Sequence, residues 1–195
     1  LFMDTAGIRR SKQTQEEIET YAYFRSIRAL EMCDITLLVL DATEPVSKQD
    51  KRIIGMAMEE GKGIIILANK IDQLAGQRRE QILHELRAAL SFCSFATLIP
   101  CSAESQEGLL KIFPQIDVVQ RNRQQRIATK DLHNWFRDTV YGQPMGPISQ
   151  SKHITQGEEI PPTFVIFVKD PKKVQLSQLR FLDNRLRETF DFSGT

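Results

Sequence analysis

The segment Gly63-Ile64-Ile65-Ile66-Leu67-Ala68 runs without a polar interruption into the quartet Asn69-Lys70-Ile71-Asp72. An apolar run of this kind, rich in isoleucine, reads as a strand buried on both faces, as in a parallel sheet with helices above and below. Ligands of such sheets bind in the loops just past the strand ends, which is where the quartet falls. A carboxylate at Asp72 can accept two parallel hydrogen bonds from the N1–H and 2-amino edge of guanine. Adenine lacks that donor pair, so the same carboxylate is left partly unpaired against it, which is how a polar site rejects a near-isostere. Asn69 can tie neighbouring loops together and offer an amide to the base, and the stem of Lys70 can lie along the ring plane. Taken alone, the quartet is equally compatible with a solvated loop after a strand.

The flanking sequence repeats the pattern. Downstream, residues 77–92 form a predicted helix with Ile82, Leu83, Leu86 and Leu90 on one side, and residues 96–100 form the next strand. Cys101-Ser102-Ala103 follows at its carboxyl end, where small residues would let the Ala103 N–H reach the guanine carbonyl oxygen. A helix over 107–123 carries Leu109, Leu110, Ile112, Phe113 and Ile116, with a kink or break expected near Pro114. Upstream, residues 35–40 read as another buried strand, ending in Asp41-Ala42-Thr43-Glu44-Pro45. Ser47, with Asp50 three residues later, approaches a capping box for a helix whose face is Ile53, Ile54, Ala57 and Met58 and whose stop is Gly61.

At the start, Leu1-Phe2-Met3 reads as the tail of a strand that leads into Asp4-Thr5-Ala6-Gly7. In a phosphate site Asp4 can hold Mg²⁺ through a water, and Gly7 lets a backbone N–H approach a terminal phosphate; a simple turn is the other reading. Residues 8–20 are polar and read as a mobile loop, and a helix is expected over 17–32. Strands alternating with helices over 120 residues predict a parallel sheet with right-handed crossovers, whose polar loops share one edge.

Composition narrows the class. A 41% hydrophobic and 26% charged share is that of a globular chain, and no apolar run approaches the roughly 20 residues a membrane span needs. Cys33, Cys93 and Cys101 show neither pairing nor metal-ligand spacing, which suits a reducing cytosol. His84, His133 and His153 are dispersed and read as structural or surface residues. The formal charge of +1 is unevenly spread: residues 1–120 hold 14 Lys/Arg against 17 Asp/Glu, and residues 121–195 hold 12 against 8. The break falls at Arg121-Asn122-Arg123-Gln124-Gln125-Arg126. A basic second module fits a polyanionic partner, and equally an ordinary solvated surface.

That second module opens with a helix from Thr129 bearing Leu132, Trp135, Phe136 and Val140 on one face. Strands are expected over 152–156 and 163–168, then a helix over 175–190 with Leu176, Leu179, Leu182, Leu186 and Phe190 in one buried stripe. Phe181 lies opposite and is expected to pack against the first domain.

Asp4-Thr5-Ala6-Gly7, Asn69-Lys70-Ile71-Asp72 and Cys101-Ser102-Ala103, in this order, resemble the third, fourth and fifth motifs of the translation-factor-like GTPases. Asp4-Thr5-Ala6-Gly7-Ile8-Arg9-Arg10, Leu40-Asp41-Ala42-Thr43-Glu44 and Gln49-Asp50-Lys51-Arg52-Ile53 resemble the second GTPase domain of the EngA (Der) family. Pro161-Pro162-Thr163-Phe164-Val165-Ile166-Phe167-Val168 and Leu179-Arg180-Phe181-Leu182-Asp183-Asn184-Arg185-Leu186-Arg187 are similar to the KH-like domain of that family. The resemblance implies an α/β fold: a P-loop-NTPase-like parallel sheet flanked by helices over 1–122, truncated at its amino end. A small α+β KH-like domain over 123–195, lacking its last strand, would follow.

It further implies GTP or GDP and Mg²⁺ as ligands. The site residues would be Asp4, Thr5, Ala6, Gly7, Ile8, Asn69, Lys70, Ile71, Asp72, Ser102 and Ala103, with Asp4 serving Mg²⁺. Family members act in assembly of the large ribosomal subunit, so the implied partners are that subunit and its rRNA, with no DNA and no membrane, for a monomer in the cytoplasm. Two departures stand out. No G-x-x-x-x-G-K-[ST] phosphate loop is present, so the chain alone is expected to bind guanine nucleotide weakly or not at all and to be inactive as a GTPase. Ile8 stands where many GTPases have a water-orienting Gln, which implies dependence on another group, with a potassium ion as one candidate. No G-x-x-G loop of an RNA-clamping KH domain is present either. The competing reading, of another class, is a non-catalytic RNA- or ribosome-binding module with vestigial nucleotide motifs.

Overall fold

The computed structural model describes residues 1–3 and 28–195. Asp4, Thr5, Ala6, Gly7, Ile8, the loop over 8–20 and most of the helix expected over 17–32 lie outside the described residues; residues 28–32 are helical.

Three apolar runs become the strands β1 (Ile35–Asp41), β2 (Gly63–Asn69) and β3 (Thr97–Pro100), all parallel, with β2 in the middle. Side chains alternate across a strand, and β2 uses both faces. Ile64 and Ile66 pack with Leu40, Ile54, Ala57 and Leu90 on one face, against α1 (Lys48–Glu59) and α2 (Gly76–Ala89). Ile65 and Leu67 pack with Ile99, Cys101 and Val119 on the other, against α3 (Ile112–Arg123). The uninterrupted apolar run is thus a strand covered on both sides. The helix over Lys48–Glu59 is closed at its start by a complete capping box: Asp50 N–H donates to Ser47 Oγ and Ser47 N–H to the Asp50 carboxylate, at 3.1 and 2.8 Å.

Several expectations need correction. β1 is only half-buried, with Val39 59% exposed, because among the described residues it has a neighbour on one side only. Leu1-Phe2-Met3 is not a strand. It has no ladder partner there, and Phe2 instead meets Phe113 edge-on, with ring centroids 5.9 Å apart. Pro114 does not interrupt its helix. A 3₁₀ turn over Leu109–Lys111 passes into α3 at Ile112, so Pro114 sits in the first turn, where a missing N–H costs no intrahelical bond.

The second module contains α4 (Thr129–Val140), an antiparallel pair β4 (Ile154–Gln156) and β5 (Phe164–Ile166), and α5 (Leu176–Phe190). Its core joins Leu132, Phe136, Val140, Ile148, Ile154, Leu182, Leu186 and Phe192. Phe181 packs against this core rather than against the first module. The expected stripe on α5 is buried only in part: Leu182 and Leu186 are covered, whereas Leu176 and Leu179 are exposed.

The two modules meet at the amino-terminal edge of the sheet. Gly194 sits between strand starts, its carbonyl accepting from Ile64 N–H at 2.7 Å and its N–H donating to the Phe95 carbonyl at 2.7 Å. Asn122 Nδ2 donates to the Ser193 carbonyl at 2.9 Å, and Gln125 Nε2 to the Phe190 carbonyl at 2.8 Å. The Arg187 guanidinium lies 4.2 Å from the centre of the Phe95 ring. Arg123 is buried there as well, donating to the Gly61 carbonyl at 2.6 Å. Burial lowers its pKa, and Asp34, 3.9 Å away, acts in the opposite direction.

Candidate functional site

Parallel register decides what gathers at the other end of the sheet. Asp41 pairs with Asn69 and Ala68 with Pro100, so three loops leave the sheet side by side. Backbone bonds extend the ladder into them: Ala42 N–H to the Asn69 carbonyl at 2.8 Å, Cys101 N–H to that of Ala68 at 2.9 Å, and Ile71 N–H to that of Cys101 at 3.3 Å. The 3₁₀ turn Ile71–Gln73 is pinned from below by Ile71, fully buried beside Leu74 and Ala68.

Asn69 Oδ1 accepts from the Ala103 N–H at 2.9 Å and stitches the second loop to the third. The backbone donor expected for a purine oxygen is therefore held by Asn69 in this structure. Lys70 adopts the left-handed conformation, φ 66°, which is uncommon without glycine and marks a position fixed by its surroundings. Its ammonium donates to Asp41 Oδ2 at 2.5 Å, and Asp41 Oδ1 accepts from Thr43 N–H at 2.9 Å and Thr43 Oγ1 at 2.6 Å. Burial acts to raise the Asp41 pKa, yet Lys70 and Thr43 together hold it below the usual value. The same bond and charge raise that of Lys70. Asp72 is exposed, and its carboxylate accepts no hydrogen bond from any described residue.

Ser102 is fully buried, and its hydroxyl accepts from Ser105 N–H at 3.0 Å while its own N–H donates to the Glu107 carbonyl at 2.9 Å. It shapes the third loop from within. Glu107 in turn accepts from Arg79 of α2 at 2.6 Å, tying the far side of that loop to the helix behind the Asp72 turn. The structure thus brings Asn69, Lys70, Ile71, Asp72, Ser102 and Ala103 to one rim; Asp4, Thr5, Ala6, Gly7 and Ile8 are outside the described residues. Three participants escaped sequence reasoning. Asp41 stood at a strand end, and only its register with Asn69 shows that it faces Lys70. Arg79 and Glu107 are 28 residues apart, with no local signal. Among the described residues no cluster of three or more His, Cys, Asp or Glu could hold a metal ion, and no helix is long and apolar enough to cross a membrane.

Comparison with known proteins agrees with this geometry. Residues 23–129 match the Elongation factor Tu GTP binding domain, and residues 126–195 match the KH-domain-like of EngA bacterial GTPase enzymes, C-terminal. The GTPase Der of Agathobacter rectalis is 42% identical over 202 residues, covering 100% of this chain and 46% of its own length. That of Lachnoclostridium phytofermentans is 39% identical over 203 residues, with the same shares. The chain therefore spans about half the length of the curated relatives it matches. Among solved structures, Era in complex with MgGDPNP and nucleotides 1506–1542 of 16S ribosomal RNA is a distant likeness: 16% identity, TM-score 0.49, covering 96% of this chain and 70% of that one.

A parallel α/β sheet with polar loops gathered at its carboxyl edge, followed by a KH-like module, defines a GTP-binding domain of the translation-factor type with a carboxyl-terminal appendage. Within that class, the chain belongs to the EngA (Der) family.

Proposed function

We propose that this chain is part of a GTP-binding, GTP-hydrolysing protein that acts in assembly of the large ribosomal subunit, and that its sheet rim is the guanine end of the nucleotide site. The observation that supports this most directly is the open Asp72 carboxylate, held on a buried turn beside Lys70 and joined through Asn69 to the Ala103 loop. These groups fit guanine. Asp72 would accept from N1–H and the 2-amino group, Lys70 would lie along the ring, and the Ala103 N–H would turn from Asn69 to the carbonyl oxygen. Ser102 holds that loop in shape.

On the same reading, Asp4, Thr5, Ala6, Gly7 and Ile8 serve the phosphate side, with Asp4 holding Mg²⁺ through water. Ile8 cannot orient the attacking water, so hydrolysis would depend on another group, for which a potassium ion is one candidate. The site lies in a GTPase domain over 1–122, and the KH-like domain over 123–195 meets rRNA in the cytoplasm through charge rather than through a reading loop. The 195 residues by themselves, having no G-x-x-x-x-G-K-[ST] loop, would bind guanine nucleotide weakly or not at all and would not hydrolyse it.

The test is titration of the full-length protein with a fluorescent GDP analogue. Asp72→Asn should weaken GDP binding about a hundredfold or more, because guanine donors then face an amide. It should also admit xanthosine diphosphate, whose 2-oxo group can accept from that amide. Unchanged GDP affinity in Asp72→Asn would remove the base from this rim.

A further inference from the structure

We propose that Asp41 is a positioning residue for the base site: by holding the Lys70 ammonium, it fixes the lysine stem along the rim and keeps the cation off Asp72. This rests on the guanine reading above and adds to it a residue on a different strand.

Asp41 divides its two oxygens between two tasks. Oδ1 is occupied by Thr43, through both the backbone N–H and the hydroxyl, which leaves the carboxylate little freedom to rotate. Oδ2 faces Lys70 across the β1–β2 register, with the ammonium 2.5 Å away. A surface ion pair of two mobile side chains contributes little, but here one partner is immobilised by its own turn. The other starts from a left-handed backbone that sets the direction in which its stem leaves the chain.

The alternatives open to Lys70 show why the anchor matters. Glu44 and Asp72 both act on its charge through space, yet neither accepts a bond from it. Asp72 is two residues away and is the carboxylate that guanine requires. Without Asp41, a flexible ammonium on a four-carbon stem has Asp72 as a nearby counter-charge. Pairing with it would fill the acceptor before the base arrives. Asp41 therefore does two things at once: it orders the stem as a wall of the purine slot, and it leaves the base acceptor vacant. The stem and the vacancy belong to one ion pair, so removing the charge on Asp41 should disturb both through Lys70 alone.

The experiment is a double-mutant cycle in the full-length protein, read by association and dissociation of a fluorescent GDP analogue, with thermal unfolding alongside. Asp41→Asn keeps an oxygen for Thr43 and removes the charge that holds Lys70. It should weaken binding about tenfold while lowering the melting temperature only slightly, as for a solvent-exposed ion pair. In a Lys70→Met background, Asp41→Asn should have no further effect, because the residue it acts through is gone. Equal binding by wild type and Asp41→Asn, or losses that multiply across the cycle, would overturn the proposal while leaving guanine recognition intact. Failure of the wild-type protein to bind the analogue at all would remove the guanine reading and this inference with it.

Discussion

Cys93 sits at 2% exposure against Leu90 and the β-sheet core, its thiol donating to the Leu90 carbonyl at 3.3 Å. Burial pushes its pKa up from 9.0 to about 11, with a backbone hydrogen bond pulling the other way. Between those two values the unfolded chain has shed the proton and the folded one keeps it, so stability falls as pH rises from about 9 towards about 11. Reactivity follows the thiolate. Alkylation of the native protein near pH 8, read by mass spectrometry, should therefore modify the half-exposed Cys33 well before Cys93 or the buried Cys101, whose pKa burial also raises. The rim pair has the opposite sign at the acid end. Asp41 is held below its ordinary value of 3.8, so its contribution is present above that pH and is lost only as pH falls through the lowered one.

At the scale of elements, Gly108 shows how a loop is cut to fit. It has φ +77°, and a Cβ there would stand 2.2 Å from the Pro100 carbonyl oxygen, a backbone atom that cannot swing aside. Gly108→Ala should cost at least about 2 kcal/mol, from the left-handed backbone and the clash together, measured by urea unfolding. It should also loosen the loop that presents Ala103. None of this was visible in sequence, where Gly108 falls at the start of the helix expected over 107–123; the structure instead places it in the loop before the 3₁₀ turn. β2 was legible because a strand covered on both faces must be apolar throughout, and its polar quartet fell at the strand end as parallel sheets require. β1 carries a similar apolar run, yet burial depends on neighbours in the sheet, which its own residues do not name. Pro114 misled for a related reason: proline breaks a helix interior but not a first turn, and the difference is a shift of the helix start to Ile112. Phe181 was assigned to the wrong partner because its place opposite the leucine stripe does not name what packs there, and the structure sets it against the core of its own module.

For the whole molecule, the joint between modules is built from main chain as well as side chains. Gly194 takes its place with φ +77°, and an added Cβ would stand 2.3 Å from Val119 Cγ2 in the core beneath the sheet. Gly194→Ala should therefore destabilise both modules together. Calorimetry of the native chain should show one cooperative transition, and two separate transitions would mean that the modules fold independently. The placement of Gly194 bears on the order of construction. A chain made from its amino end lays down Ile64 long before Gly194 exists, and contacts so distant along the chain form late. Until then the central strand of the sheet has an unmated amide at its base. The base of the first module is thereby completed only by residues at the far end of the second.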